Sequence, residues 1–254
     1  DYELHIVGKL TAVGTPNSWI TFTSNRANPA KGDWDKLNFN PINANYDDHN
    51  KLQYCRIEYA SYGVYLYYSS PALIDHNEIE NNTYGIRLEG NSNPQTVTYN
   101  NFTKNTYPVD CCAHIPALGT NNFTANTFNN VTIGGYAKVS CTWPESESPY
   151  IIRDSVYVMD NAKLTIEPGV IVKFDSYKRI QVGTATTHRG DIWAEGTAGK
   201  RIVFTSNKDD SAGGDTNGDG GLTSPAKSNW EFIYYYYVSN NANNKWEYCD
   251  FKYS

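Results

Sequence analysis

Tyr62-Gly63-Val64 recurs as Tyr84-Gly85-Ile86 and again as Tyr107-Pro108-Val109, at steps of 22 (84 − 62) and 23 (107 − 84). Two further marks keep the same beat. Pro71, Pro94 and Pro116 are spaced by 23 (94 − 71) and 22 (116 − 94). Asn77-Glu78-Ile79 returns as Asn100-Asn101-Phe102 at a step of 23 (100 − 77), and as Asn126-Thr127-Phe128 at a further 26 (126 − 100). Such a period holds two or three short strands and their turns, too little to bury an apolar face alone. Stacked at about 4.8 Å per coil, each strand pairs with its equivalents above and below, and inward Val, Ile, Leu, Phe and Tyr form columns. This reading superimposes Val64, Ile86 and Val109 along one axis. It also stacks Asn77, Asn100 and Asn126 at one turn, where amides bond along the ladder. Gly63 and Gly85 are expected to serve a turn that needs positive φ or close backbone approach.

A longer repeat surrounds this one. "ITFTSN" (20–25) recurs as "IVFTSN" (202–207), an offset of 202 − 20 = 182. Upstream, "LTAVGT" (10–15) matches "IWAEGT" (192–197) at the same offset. Downstream, Trp34, Leu37 and Phe39 match Trp230, Ile233 and Tyr235 at an offset of 230 − 34 = 196. The difference, 196 − 182 = 14, lies in a Gly/Asp-rich insert containing "DDSAGGDTNGDGG". "LQYCRIEYA" (52–60) then matches "WEYCDFKYS" (246–254) at an offset of 246 − 52 = 194. The order is kept and only loop lengths differ, so a module of strands occurs once in full and once in part.

The segments "LTIEPGVIVKF" (164–174), "IWAEGTAGKRIVFTSN" (192–207) and "SSPALIDHNEIENNTYGIRL" (69–88) resemble right-handed parallel β-helix repeats of prokaryotic surface and secreted proteins, the pectate-lyase-like solenoids. The resemblance implies an all-β solenoid with coils of about 22–23 residues, within the usual span of solenoid repeats. The module boundaries divide the chain into a first β-helix at 1–140, an irregular connection at 141–163, and the start of a second module at 164–254. One continuous solenoid is the alternative. The fold hosts unrelated functions and assigns no activity.

Composition narrows the choices. Of 254 residues, 39% are hydrophobic and 14% aromatic, with 21 Tyr and 1 Met, which suits pleated surfaces. A net charge of −6 argues against a nucleic-acid partner. No apolar run approaches the roughly 20 residues of a membrane span. No signal peptide is visible, and "DYELHIVGKL" already alternates like a strand, so a preceding segment is expected to be missing. Neither end shows a polar cap, which solenoids need to stay soluble; the chain is expected to be a fragment of a longer array or, alternatively, to pair its open strand edges with other copies in a filament or sheath.

Several side-chain groups are candidates for chemistry. Asp215-Thr216-Asn217-Gly218-Asp219-Gly220 places Asp215, Asn217 and Asp219 at alternate positions before a sharp turn, as a Ca²⁺ loop does. The distal Glu of an EF-hand-type loop is absent, because twelve-residue spacing falls on Ala226; Asp209 or Asp210 is the candidate to complete the shell. The four sequons, at Asn81, Asn101, Asn122 and Asn130, suggest an exported glycoprotein. Of the five cysteines, Cys55 and Cys249 hold matching module positions and read as core thiols; Cys111 or Cys112 is the candidate to bridge to Cys141. In "WEFIYYYYVSN" (230–240), Trp230, Tyr234, Tyr235, Tyr236 and Tyr237 are candidates for stacking on a sugar or a partner. Strand alternation puts Tyr234 and Tyr236 on one side and Tyr235 and Tyr237 on the other.

The case for catalysis is thin. Asp47-Asp48-His49 and Asp75-His76 are acidic patches without a second recognisable element. The Asn-Thr-Asp, Gly-His-Gly and Arg-Ile-Lys signatures of polygalacturonase-like β-helices are missing, and His5, His49, His76, His114 and His188 show no ligand spacing. The expected role is therefore an extracellular structural or assembly protein of a cell surface, filament or sheath. Its expected partners are other copies of itself, head-to-tail or laterally. Binding of glycans, as a carbohydrate-binding or adhesin module, stands second, and a polysaccharide lyase or hydrolase third.

Overall fold

The computed structural model describes residues 2–40, 49–69, 71, 73–90, 92, 96–115, 118–238 and 241–254. Pro94, Pro116, Asp47 and Asp48 lie outside the described residues, as do Ser239 and Asn240 of the Tyr-rich stretch. The chain divides into two compact units, residues 1–110 with 116–129, and residues 111–115 with 130–254. Among the described residues, all pairings between strands are parallel, and the structure is an all-β parallel helix of stacked coils.

In the first unit each coil gives one strand to each of three sheets. Leu4–Ile6, Trp34–Phe39, Ala60–Tyr67 and Tyr84–Glu89 follow one another in the first sheet. Thr11–Val13, Lys51–Gln53, Leu73–Asp75 and Val97–Thr98 form the second, and Ile20–Phe22, Cys55–Glu58, Glu78–Glu80, Asn101–Thr103 and Asn122–Thr124 the third. Register follows the repeat: Ile86 pairs with Val64 and Tyr84 with Tyr62. The rings of Tyr62, Tyr84, Tyr107 and Phe128 stack at 5.0 Å each, one rung apart. Val109 lies two residues beyond Tyr107, as Ile86 lies two beyond Tyr84, and all three aliphatic side chains are buried.

The coils turn at residues that a strand would exclude. Tyr54, His76 and Tyr99 at one corner, and Tyr59, Asn81, Lys104 and Ala125 at another, all have φ between 51° and 64°. Each non-glycine residue there costs on the order of 1–2 kcal/mol. Asparagine ladders offset that cost. At the first corner Asn100 Oδ1 accepts from both the main-chain N–H (3.0 Å) and the amide (2.9 Å) of Asn77, while Asn100 Nδ2 donates to Ile74 O. Asn121 treats Asn100 in the same way. At the second corner the ladder runs Asn82, Asn105, Asn126 and ends on Asn129. This corrects the expected stack. Asn126 does not continue Asn77 and Asn100; Asn121 does, and Asn121-Asn122-Phe123 is the true third repeat, with Phe123 in register with Phe102. The step from Asn100 to Asn126 was a jump from one corner to the other.

Gly63 and Gly85 serve close approach, and neither has positive φ. A Cβ on Gly85 would stand 2.5 Å from Pro108 O, and one on Gly63 2.7 Å from Gly85 O. Residues 141–163, read as an irregular connection, are largely extended: Cys141–Trp143, Tyr150–Val158 and Ala162–Ile166 are strands, separated by the short 3-10 turn Glu145–Glu147. Their period was hidden because the buried residues there, such as Trp143 and Tyr150, share no short motif with the earlier coils.

In the second unit, Val131–Ala137, Tyr150–Val158, Ile171–Phe174 and Ile202–Ser206 build one sheet, and Ile180–Val182 also pairs with Tyr150–Val158. Cys141–Trp143, Ala162–Ile166, Gly190–Glu195 and Lys245–Glu247 build another. The long duplication is atomic. Trp34 Nε1 donates to Glu58 O (2.8 Å), and Trp230 Nε1 to Lys252 O (2.7 Å). Cys55 Sγ donates to Ala12 O (3.3 Å), and Cys249 Sγ to Ala194 O (3.4 Å). The main-chain bonds Gly14 N to Gln53 O and Asp33 N to Tyr59 O return as Gly196 N to Glu247 O and Asn229 N to Tyr253 O.

The ladder makes a quantitative prediction. Asn105→Ala leaves the main-chain N–H of Asn82 and Ile79 O without their partners and removes one of the two acceptors of the Asn82 amide, which keeps Ile57 O; at about 1–3 kcal/mol for each buried orphan, the loss should exceed about 2 kcal/mol. The exposed neighbour Asn101→Ala should change stability by under about 0.5 kcal/mol. Urea midpoints of the two variants at an unchanged m-value check this; equal midpoints would remove the ladder as a major stabiliser.

Candidate metal centre and exposed faces

The Gly/Asp-rich insert opens and closes on a frame that both module copies share. Ser24 Oγ and Ala30 N donate to Asp33 Oδ2; Ser206 Oγ and Ala226 N donate to Asn229 Oδ1. The extra residues of the second copy therefore leave from a fixed base. They face solvent on one side, where Leu222 is 88% exposed. They cover the outer face of the sheet, where Thr132, Ile151, Lys173 and Thr205 are all buried. Asn130 Nδ2 donates to Thr216 O (3.4 Å), and the Lys173 ammonium donates to Gly214 O (2.7 Å). Burial pushes the Lys173 pKa down, against the pull of Asp210, Asp209 and Asp215.

Within the insert, Asp215 and Asp219 organise consecutive turns. Asp215 accepts from Gly218 N, Asp219 N and Gly220 N. Asp219 accepts from Gly221 N, Leu222 N, the Thr223 hydroxyl and Asn217 Nδ2. The Thr223 hydroxyl bond is the main reason the Asp219 carboxyl lies below its usual range. Gly218, Gly220 and Gly221 take φ of 70°, 66° and 81°, a path closed to most side chains. Carboxylate oxygens of Asp210, Asp215 and Asp219 lie within 4.8 Å of one another. That is the greatest separation of two oxygens on one ion at ~2.4 Å, so the group could hold a metal. Asp210 Oδ1 is buried without a hydrogen-bond partner. Asp209 points elsewhere: it accepts from Thr205 Oγ1, Ser211 N and Ser211 Oγ. Burial would raise its carboxyl, but those bonds outweigh burial and lower it. Asn217 is drawn to Asp219 and Thr223.

The remaining candidates divide by exposure. Asn101 and Asn122 are exposed and paired in register on adjacent rungs. Asn81 is half-buried and donates to Glu80; Asn130 is buried. Trp230 belongs to the core, 4.2 Å from the Phe174 ring. Tyr234 and Tyr236 are exposed, while Tyr235 faces inward and its hydroxyl accepts from Trp246 Nε1; Tyr237 is half-buried. Outward Tyr136 and Tyr157 lie 5.4 Å apart, and Gln181 follows in register between Tyr157 and Tyr234. Cys141 is buried, which pushes its thiol up to about 12, with Cys112 nearby adding to the shift; no disulfide joins it to Cys111 or Cys112. Burial likewise raises Cys55 to about 11.

Stacking also assembles polar groups that no short motif announces. Arg87 bonds Asp110 and Glu89, and the Tyr65 hydroxyl donates to Glu89, across coils of the first unit. Asp75 accepts from Gln53 Nε2 one coil before and Thr98 Oγ1 one coil after, and lies 2.6 Å from His76 Nδ1. His76 stacks between Tyr54 (5.1 Å) and Tyr99 (4.9 Å). His188 pairs with Asp160, and burial lowers the His114 pKa. The useful signal for the pairs around Asp75 was the repeat itself, since positions separated by 22 or 23 become neighbours.

Asp75 predicts an acid response. Burial would raise its carboxyl, but the bonds from Thr98, His76 and Gln53 outweigh burial and depress it. A depressed folded pKa stabilises above the unfolded value of about 3.9, and that stabilisation is lost as pH falls through the folded pKa. Asp75→Asn should be less stable than the parent at neutral pH, and the gap should narrow below about pH 4. Thermal midpoints across that range decide it; a constant gap would contradict the assignment.

Comparison with known families matches residues 17–171 to a right-handed β-helix region and residues 134–231 to a pectate-lyase-like β-helix domain. A stretch of 61 residues, 24% of the chain, is 43% identical to Protein bark beetle of Drosophila melanogaster. It spans only 2% of that protein's length. No solved structure matches the chain.

Proposed function

Since the chain belongs to the right-handed β-helix family, we propose that it is an extracellular structural module of a cell surface, working by assembly and not by catalysis. The observation that carries this reading is the stack itself: coil joins coil through parallel strands and asparagine ladders, and side chains on the coil faces are tied to one another across rungs. The match to a small fraction of a much longer protein supports use as one module among several.

In this reading the insert is a calcium staple. Asp210, Asp215 and Asp219 supply the charge, and Ca²⁺ would tie the insert down over the sheet that it covers. Carbohydrate binding is the second reading, favoured by exposed Tyr136, Tyr234 and Tyr236 on one unit.

Two measurements test these proposals. Millimolar Ca²⁺ should raise the melting temperature of the parent and leave Asp215→Asn and Asp219→Asn unchanged, whereas Mg²⁺ should do less; no Ca²⁺ response in the parent rejects the staple. Electron microscopy and sedimentation should show oligomers or filaments that grow with protein concentration. A strictly monomeric parent rejects assembly.

A further inference from the structure

The acidic insert holds the single Asn-Gly pair of the sequence, Asn217-Gly218. Asparagine side chains are attacked by the main-chain nitrogen that follows them, and a glycine there has no Cβ to obstruct the approach. In the closed insert that nitrogen is occupied. Gly218 N donates to Asp215 Oδ1 (2.8 Å). The attacking species is the deprotonated amide, and a carboxylate held against its hydrogen opposes loss of that proton. The carbon under attack is fixed as well. Asn217 Nδ2 donates to Asp219 Oδ2 (2.8 Å) and Thr223 Oγ1 (3.1 Å), and Asn217 Oδ1 accepts from Asp219 N (3.3 Å). Bonds on both amide atoms hold the side chain in one plane and stop Cγ from turning toward Gly218 N.

The pair lies beside the points that tie the insert to the sheet. Lys173 Nζ donates to Gly214 O (2.7 Å), Asn130 Nδ2 to Thr216 O (3.4 Å), and Thr216 Oγ1 to Asn207 Oδ1 (2.6 Å). Residues 214 and 216 flank Asp215, whose carboxylate also accepts from Gly220 N (2.8 Å). Asp215 therefore stands between the anchored part of the insert and the reactive pair. Beneath the insert, Thr132, Ile151, Lys173 and Thr205 are all buried. A carboxylate at position 217 would lose both donor bonds and would set an acceptor against the Asp219 acceptor. Two like charges in contact repel, which pushes this turn apart.

We propose that Asn217 is a latent deamidation site, kept intact by the closed insert, and that its conversion locks the insert open over Lys173. When the insert opens, Gly218 N gives its proton to hydroxide and attacks Asn217 Cγ. The N–Cγ bond forms, the Cγ–Nδ2 bond breaks, and ammonia leaves with a proton taken from water. The product is a succinimide. Water then adds to either ring carbonyl and opens it, leaving aspartate or isoaspartate at position 217. No electrons are exchanged: an amide and water become an acid and ammonia. Aspartate replaces a donor with a charged acceptor beside Asp219. Isoaspartate inserts a methylene into the main chain and displaces Gly218 N from Asp215. With either product the turn cannot close as before, and the buried face around Lys173 becomes accessible. The step is one-way, so residue 217 records how long the insert has been open. The inference depends on neither assembly nor calcium.

Peptide mass spectrometry follows the amide-to-acid mass gain at residue 217 during incubation in mildly alkaline buffer, with the chain folded or in urea. Isomerisation at Asp219-Gly220 releases no ammonia and leaves the mass unchanged, so it does not interfere. The unfolded chain should deamidate at least about tenfold faster than the folded parent. Asp215→Ala and Thr223→Val, with circular dichroism and melting curves verifying the fold, should each be faster than the parent. For Asp215→Ala the gain should be about tenfold or more, as losing bonds to a charged acceptor implies. Should Asp215→Ala fail to fold, Thr223→Val decides. A folded parent as fast as the unfolded chain, or folded variants no faster than the parent, would remove the protective cage. Locking is read at Lys173 with an amine-acylating reagent. Aged parent and Asn217→Asp should be labelled there, while fresh parent and the uncharged Asn217→Gln should stay unlabelled. An unlabelled Lys173 in Asn217→Asp overturns the locking step.

Discussion

Each coil of the first unit can close only because a residue at its corner accepts the left-handed region, and asparagine amides make that geometry worth holding. The strain falls on Tyr, His, Lys and Ala as readily as on Asn, so side-chain preference does not choose the corner residue. What recurs, after His76, Asn81, Tyr99, Lys104 and Ala125, is an asparagine immediately following; after Tyr54 and Tyr59 stand Cys55 and Ala60, whose main-chain N–H groups donate to Asn77 and Asn82 of the next coil. The asparagine amide joins main-chain groups that the bend removes from the sheets, and it passes the same arrangement to the next coil. The corner and the stacking direction are therefore one interaction: without a coil above, the amide of the coil below lacks its acceptor. This makes the solenoid cooperative along its axis although every contact is between neighbours.

That constraint determines where variation is permitted. Lengths may change between corners, as they do between Ser206 and Asn229, provided that both ends of the loop return to the shared frame. The acidic insert exploits this freedom. It leaves from the same pair of hydrogen bonds as the shorter loop, turns on its own aspartates and glycines, and buries a lysine that would otherwise lie on an open sheet face. The Lys173 ammonium inside an acidic loop offsets part of the mutual repulsion of Asp209, Asp210 and Asp215. A bound cation would complete that compensation from the outer side.

The same geometry accounts for the polar groups on the coil faces. Arg87 with Asp110, and Arg56 with Glu78 and Glu80, are neighbours because they sit one rung apart. Carboxylates engaged in this way are anchored by cations and by neighbouring donors, which suits a structural surface. The exposed tyrosines of the second unit lie on a column of the same kind, and their spacing follows from the strand separation.

Periodicity alone made the fold legible. A repeat this short can bury its apolar side chains only by stacking, and Val64, Ile86 and Val109 declared that stack without any structure. The distant echo of "ITFTSN" likewise announced a duplicated module, down to the correspondence of Cys55 with Cys249. Tertiary structure decided what periodicity leaves degenerate. Each coil has several corners, and asparagines occur at more than one, so the longer step joined Asn100 to the wrong ladder. Whether a sequon, a tyrosine or an aspartate is exposed depends on which face it takes and on what lies across that face. The insert folded back over Lys173 and Asn130, which local sequence presents as solvent-facing.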